Sequence, residues 1–402
     1  MFDAPVPRSG RERGAHYRVA AVRCQDYSLP AVRSSIAESL ALLDGLESCV
    51  DRGDRVLIKP NLLAAAPPER AVTTHPSVVQ AVIEEVHACG AEAVIGDSPG
   101  GHTTPASYRA LLAATGMQDV IDRTGAGVVY FDETMEMISS KNGRIFKKFA
   151  VTAALRDVDA VIALPKFKTH QLTGFTGAVK LLYGYVPGAT KAEYHLHAGR
   201  DPRMFAELLL DIWETLPPAL TLMDAVVGME GPGPRHGQPR HVGVVLAGQS
   251  GPALDMVAAT IAGMDPLAVP TVQLAAERGM GPASMEEIEI SGVPAEEMTI
   301  HDFKPADSTY IPKIPPVFFS AAQRLFTARP VIAASRCTGC GTCVASCPPG
   351  AMATGGAGIP RIDSSRCIRC YCCQELCPAG AVEIGVPLLR RILAKHSQHP
   401  LR

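Results

Sequence analysis

The chain has 402 residues, more than a single hydrophobic core usually organises, so two or three domains are expected. Its 38 Lys and Arg nearly balance 40 Asp and Glu, which leaves no broad field to gather nucleic acid or an anionic membrane, and both partners are disfavoured. Residues 1–14 are polar and basic with no apolar secretory core, and no window reaches the roughly 18 uninterrupted apolar residues of a membrane helix, so a soluble, cytoplasmic protein without an integral membrane segment is expected.

From Tyr17 to about Val293, short apolar runs alternate with helical periodicity, the pattern of an α/β domain with a mostly parallel sheet. In chain order the pattern predicts a strand at residues 18–23, a helix at 32–49, a strand at 56–58 and a helix at 76–89. A strand at 93–95, a helix at 105–115 and strands at 128–131 and 160–164 follow. Then come helices at 177–185 and 202–215, strands at 220–226 and 242–246, and helices at 253–262 and 267–277. Thr74-His75-Pro76 and Thr103-Thr104-Pro105 mark helix starts, because proline in a first turn and a hydroxyl just before it suit N–H groups that have no helical partner. Residues 294–330 turn proline-rich and of mixed polarity, reading as a linker with one short helix at 318–326. The expected division is an α/β domain at 15–293, the linker, a small α+β module at 331–385 and a tail at 386–402.

The module contains a repeat. Arg336-Cys-Thr-Gly-Cys-Gly-Thr-Cys-Val-Ala-Ser-Cys-Pro aligns without a gap on Arg366-Cys-Ile-Arg-Cys-Tyr-Cys-Cys-Gln-Glu-Leu-Cys-Pro, so two half-modules related by an approximate two-fold axis are expected. Nine of the twelve cysteines fall between Cys337 and Cys377, a clustering that means metal rather than disulfides in a large chain of this kind. The spacing C-x2-C-x2-C-x3-C-P assigns Cys337, Cys340, Cys343 and Cys377 to one [4Fe-4S] cluster and Cys367, Cys370, Cys373 and Cys347 to a second, because the fourth cysteine of each run reaches the opposite cluster. Zinc, the competing reading, usually takes two CxxC pairs separated by a longer loop. Cys372 stands outside the frame and reads as a packed spare thiol, and Cys24, Cys49 and Cys89 as ordinary buried cysteines. These residues closely resemble the bacterial ferredoxin family over residues 331–385. The resemblance implies low-potential, one-electron relay through two [4Fe-4S] clusters, fed by a ferredoxin or a reductase.

In the larger domain, polar residues follow predicted strands: Lys59 and Asn61, Asp97 and Ser98, Lys166, Lys168 and His170, then Glu230. Open parallel sheets place their sites at the carboxyl ends of strands, so these residues are expected to line one crevice. If Pro165–His170 is extended, Lys166, Lys168 and His170 share a face, while Thr176 and Lys180 share a line of the following helix. Lys191, His195 and His197 add further cationic or titratable groups. Convergent lysines and hydroxyls favour a small organic anion, with Lys168, His170 and Lys180 in catalytic roles and Lys59, Asn61, Asp97, Lys166 and Glu230 binding the ligand. The competing reading leaves the lysines merely solvated. No Walker-type phosphate loop is present, the Gly228–Gly237 loop lacks a clean G-x-G-x-x-G, and Gly96–Gly101 reads equally as an anion nest or a plain turn.

Lys59-Pro-Asn-Leu, Gly96-Asp-Ser-Pro-Gly, Pro165-Lys-Phe-Lys-Thr-His, Thr176-Gly-Ala-Val-Lys, Asp224-Ala-Val-Val-Gly-Met-Glu-Gly-Pro-Gly-Pro and Ala253-Leu-Asp-Met-Val-Ala together resemble the domain of unknown function 362 family across residues 18–293. That resemblance implies an uncharacterised iron–sulfur protein and names no substrate. Leu181 stands where the family often has Asn. The expected function is an iron–sulfur oxidoreductase acting on the bound anion. A docking or electron-transfer protein without catalysis, and a maturation factor serving a partner enzyme, are the alternatives.

Overall fold

The computed structural model describes residues 17–101, 103–199, 201–306 and 328–385. The strands of the large domain are β1 (Tyr17–Arg23), β2 (Arg55–Pro60), β3 (Glu92–Asp97), β4 (Gly127–Tyr130), β5 (Met135–Ser139), β6 (Lys148–Thr152), β7 (Ala160–Leu164), β8 (Lys166–His170), β9 (Gly174–Phe175), β10 (Leu220–Glu230), β11 (Gln238–Gly248) and β12 (Ile288–Gly292). Its helices are α1 (Leu29–Ala41), α2 (Pro76–Ala88), α3 (Pro105–Ala114), α4 (Met117–Thr124), α5 (Gly177–Leu181), α6 (Gly188–Ala198), α7 (Pro202–Thr215), α8 (Gly251–Ile261), α9 (Pro270–Glu277) and α10 (Ala295–Met298).

A ten-stranded sheet carries the order β12-β1-β11-β10-β7-β2-β3-β4, with β8 and β9 attached beside β10. Its pairings are parallel except where β11 runs against both β1 and β10, and where β9 turns back on β8, so the domain is α/β with a mostly parallel sheet. The central strands are continuous apolar runs because helices cover both faces. Leu57 and Val161 point into one core with α5, α7, α8 and α9, whereas Val56, Ile58, Ala160 and Ile162 point into the other with α1 to α4. That alternation is the pleat expressed as two cores.

The chain leaves β2 toward β3 and β4, then returns to the other side of β2 as β7 and continues to β10. The carboxyl ends of β2 and β7 therefore flank a topological switch point, where a crevice opens.

Several boundaries differ from the sequence reading. The helix expected at 32–49 ends at Ala41; Gly45 takes a φ of 83° and a single 3-10 turn follows at Leu46–Ser48. Pro270 starts a fresh helix, so the expected 267–277 helix divides. Residues 294–306 are not linker. Ala295, Met298 and Phe303 are buried in the first core and the Ile300 N–H donates to the Ile261 carbonyl at 2.8 Å, which makes this segment part of the large domain. The helix expected at 318–326 and the tail lie outside the described residues.

The module repeats a strand, a short helix and a strand. β13 (Arg329–Ile332) pairs with β16 (Val382–Gly385), and β14 (Met352–Thr354) with β15 (Pro360–Ile362), both antiparallel. The helices Thr342–Ala345 and Cys372–Leu376 occupy equivalent places in the two halves.

Candidate active-site cavity between the two domains

A cavity of about 310 Å³ opens at the switch point, and its wall comes from both parts of the chain. The large domain contributes Lys59, Asn61, Asp97, Lys168, Lys180 and His195, among others. The module contributes Ala345 and Ser346 from its first half and Cys372, Glu375 and Leu376 from its second. In the repeat alignment Glu375 corresponds to Ala345 and Leu376 to Ser346, so both halves meet the cavity through equivalent positions just before the fourth cysteine.

Lys59 ends β2 fully buried, and its Nζ lies 2.7 Å from Asp97 Oδ1 at the end of β3. The other Asp97 oxygen accepts the Leu62 N–H at 2.7 Å, so the pair is neutralised and hydrogen-bonded where parallel strands meet. Burial draws the Lys59 pKa below the usual lysine value, against the pull of Asp97. Gly184 makes room for this pair: a Cβ there would stand 2.3 Å from Asp97 Oδ1.

Lys168 donates to Asn61 Oδ1 at 3.0 Å and to the Val72 carbonyl at 2.6 Å. It has no ion-paired carboxylate among the described residues; burial, then the nearby charge of Lys180, hold its pKa well below the usual lysine range. Lys191 reaches Ser98 O at 2.6 Å and Ser98 Oγ at 2.8 Å, clipping the loop after β3, and burial lowers its pKa to about 8. Lys180 has neither a hydrogen bond nor an ion pair among the described residues. The start of its short helix is fixed from below, because buried Asp255 accepts the Ala178 and Val179 N–H groups. Burial raises the Asp255 pKa to about 7.

Three expected site residues lie elsewhere. Lys166 is buried beneath the cavity, with Nζ 2.7 Å from Asp224 Oδ2 and 2.7 Å from the Tyr27 hydroxyl, because β8 pairs with β10 at Lys166 and Asp224. Glu230 closes the end of β10, where Oε2 accepts the Lys304 N–H at 3.1 Å and helps seat residues 294–306. His170 is fully buried and does not line the cavity. Its Nδ1 accepts the Leu172 and Thr173 N–H groups at 3.0 and 3.2 Å, which leaves the proton on Nε2, 2.8 Å from Glu375 Oε1. Burial and Lys180 lower the His170 pKa to about 4. Burial raises the Glu375 carboxyl but His170 and Lys180 outweigh it, bringing it to about 2, so the carboxylate carries the charge of this contact and the imidazole is neutral.

The sequence reading had no means of seeing Glu375 or Cys372 as wall residues, since both lie in the cysteine run. Their signal was a charged residue and an extra thiol where the first half has Ala345 and Thr342.

In the module, one small void is lined by Cys337, Cys340, Cys343 and Cys377, and another by Cys347, Cys367, Cys370 and Cys373. Backbone N–H groups of Ala351 and Ala381 donate to Cys347 and Cys377 Sγ, each at 3.2 Å and at equivalent repeat positions. Among the described residues no three His, Cys, Asp or Glu approach closely enough to hold a single metal ion, whereas each set of four thiols surrounds a void. Four thiols with N–H donors to sulfur suit an iron–sulfur cluster. The wrap needs left-handed backbone on both sides of the second cysteine. Gly339 and Gly341 provide it in the first half, and Arg369 and Tyr371 adopt it with φ of 59° and 61° in the second.

Residues 56–260 match the family model described as domain of unknown function, DUF362, and residues 336–381 match the 4Fe-4S dicluster domain. The chain belongs to the DUF362 family. A thylakoid-associated protein of Synechocystis sp. is 34% identical to this DUF362 protein over 268 residues, which is 67% of this chain and 81% of that one. Among solved structures, the lactate racemase apoprotein from Thermoanaerobacterium thermosaccharolyticum aligns with a TM-score of 0.35 and 12% identity, over 62% of this chain and 56% of that one. The DUF362 match ends inside α8, and the iron–sulfur match covers the cysteine repeat, so the cavity lies between a domain without assigned chemistry and a 4Fe-4S domain suited to electron transfer. No helix among the described residues is long and apolar enough to cross a membrane.

Proposed function

We propose that this DUF362 protein is an iron–sulfur oxidoreductase that passes electrons through two [4Fe-4S] clusters to a small organic anion bound in the cavity. The observation that carries the reading is that one cavity has cationic groups of the large domain on one side and the cysteine-run helix Cys372–Leu376 on the other. Cys337, Cys340, Cys343 and Cys377 would hold one cluster and Cys347, Cys367, Cys370 and Cys373 the other, as the grouping of thiols around the voids supports. Bound clusters supply one-electron chemistry at low potential, with a ferredoxin or reductase as donor.

The protein's own residues do the rest. Lys180, which has neither a hydrogen bond nor an ion pair among the described residues, offers its positive charge to an anion, Lys59 stands nearby in its pair with Asp97, and the module helix covers one side of the cavity. Lys191, whose pKa burial lowers to about 8, is the wall cation best placed to yield a proton near neutral pH, and burial shifts Lys168 in the same direction. Low-potential thiolate-bound clusters favour a reducing compartment, which supports a cytoplasmic setting for this activity.

The test is anaerobic reoxidation. Protein reconstituted with iron and sulfide and reduced by dithionite should be reoxidised by at least one member of a panel of small organic acids, with native mass spectrometry showing that acid bound. Lys180→Met should slow reoxidation at least about tenfold at unchanged iron content, the loss of one charge-assisted contact. If no acid is retained, or Lys180→Met reoxidises at the parent rate, the cavity is not where electrons leave and the docking alternative gains.

A further inference from the structure

The polar groups on the cavity wall differ in how far the protein already satisfies them. Lys59 has Asp97, Lys168 has Asn61 and Val72, Lys191 has Ser98, and Glu375 has His170. Lys180 and His195 stand apart, with no polar partner among the described residues.

His195 lies on α6 and is 7% exposed. Its ring stacks on Phe205 with centroids 4.4 Å apart and meets Tyr183 edge-on at 5.6 Å, so two aromatic contacts fix the imidazole plane. Its Nδ1 is enclosed and has no hydrogen-bond partner. With Nδ1 sealed away from the cavity as well, the ring nitrogen left to a ligand there is Nε2, which has no hydrogen-bond partner among the described residues. Burial lowers the His195 pKa to about 3, so the ring presents one donor and one acceptor rather than a charge. It therefore suits an uncharged oxygen. Lys180, by contrast, suits a carboxylate, and because the other wall lysines are already engaged, one negative charge matches the site better than a phosphoryl dianion would.

We propose that Lys180 and His195 form a two-point recognition site for a small oxo- or hydroxy-carboxylate, Lys180 taking the carboxylate and His195 hydrogen-bonding the uncharged oxygen. The remaining wall, with Leu63, Leu181, Tyr183, Pro234 and Leu376, takes an apolar body. This names the ligand class of the cavity and so rests on the function proposed above. His195 thereby takes the part of the ligand-facing imidazole that the sequence suggests for His170.

Binding to oxidised, cluster-replete protein tests it without any electron transfer. Isothermal titration would use three probes of one carbon skeleton: phenylpyruvate, with charge and oxo group; hydrocinnamate, with charge alone; and hydrocinnamyl alcohol, without charge. The parent should bind phenylpyruvate about tenfold more tightly than hydrocinnamate, and either acid more tightly than the alcohol. His195→Phe, which keeps the aromatic stack, should abolish the preference for phenylpyruvate while leaving hydrocinnamate affinity within about twofold, and His195→Gln should recover part of it. Lys180→Met should bring both acids down to the alcohol. A preference for phenylpyruvate that survives His195→Phe, or a parent that binds both acids equally, overturns the two-point site and leaves the anion reading standing. Failure of both acids to bind the parent at all overturns the two-point site and counts against the anion reading as well.

Discussion

Lys166 and Lys168 show how two lysines separated by one residue on the same short strand come to differ. Both are buried, yet Lys166 is tied to Asp224 and the Tyr27 hydroxyl, whereas Lys168 bonds neutral oxygens on the cavity wall. A buried pair stripped of one partner leaves the other charge in a medium that solvates it poorly. Lys166→Ala should therefore destabilise the fold by about 3–5 kcal/mol, read as a shift of the denaturant midpoint. The double variant Lys166→Met with Asp224→Asn should recover part of the loss, since it removes both charges while the amide oxygen can still accept the His75 N–H. A single variant less than about 1 kcal/mol below the parent would mean that Lys166 belongs to the ligand after all. An alternating strand was legible in the residues of 166–170. Which partner each lysine would meet was not, because Asp224 is 58 positions from Lys166 and the register of β8 on β10 is irregular.

Among the elements, the ends of β2 and β3 carry the Lys59 and Asp97 pair, and the 3-10 turn Leu182–Tyr185 lies directly against it. Gly184→Ala would place a methyl 2.5 Å from Lys59 Nζ and 2.3 Å from Asp97 Oδ1, so the turn or the pair must move. The expected cost is about 1–3 kcal/mol, as for other overpacked sites, together with weaker acid binding because the turn connects to the helix that bears Lys180. Thermal unfolding and titration on the same sample check this; a variant that matches the parent in both would show the turn to be free of the pair. The central strands were readable because each is an unbroken apolar run between turn residues. β5 and β6 were not: Phe149 and Val151 of β6 are buried in the first core, but Met135 and Met137 of β5 are each 62% exposed, so apolar residues on β5 do not mark a buried face. α6 was missed for a related reason, since Gly188-Ala-Thr-Lys-Ala-Glu-Tyr-His-Leu-His has weak amphipathic order and its function is to present Lys191 and His195.

At the scale of the whole molecule, the cavity takes its closed side from the docked module, which brings residues of both halves to its wall. The loop after β10 holds it: Gln374 Nε2 donates to the Pro232 carbonyl at 3.1 Å, Arg235 donates to the Glu375 carbonyl at 3.3 Å, and His236 Nε2 lies 3.1 Å from the Gln374 carbonyl. These hydrogen bonds go to the backbone and one amide of the helix Cys372–Leu376, but Arg235 also acts on Cys377 through its charge and His236 meets the Cys377 backbone, so docking and the environment of that thiol are partly coupled. Polar interfaces of this kind between domains of one chain are easily loosened. The double variant Arg235→Ala with His236→Ala leaves all eight thiols in place and should keep most of the iron and sulfide content of the parent. It should nevertheless undock the module, seen as a larger radius of gyration in small-angle X-ray scattering, and lose acid binding at least about tenfold, because the module wall of the cavity leaves with it. Should the variant bind acid as the parent does while its module is released, the ligand is held by the large domain alone, and the shared cavity does not couple the cysteine repeat to the chemistry.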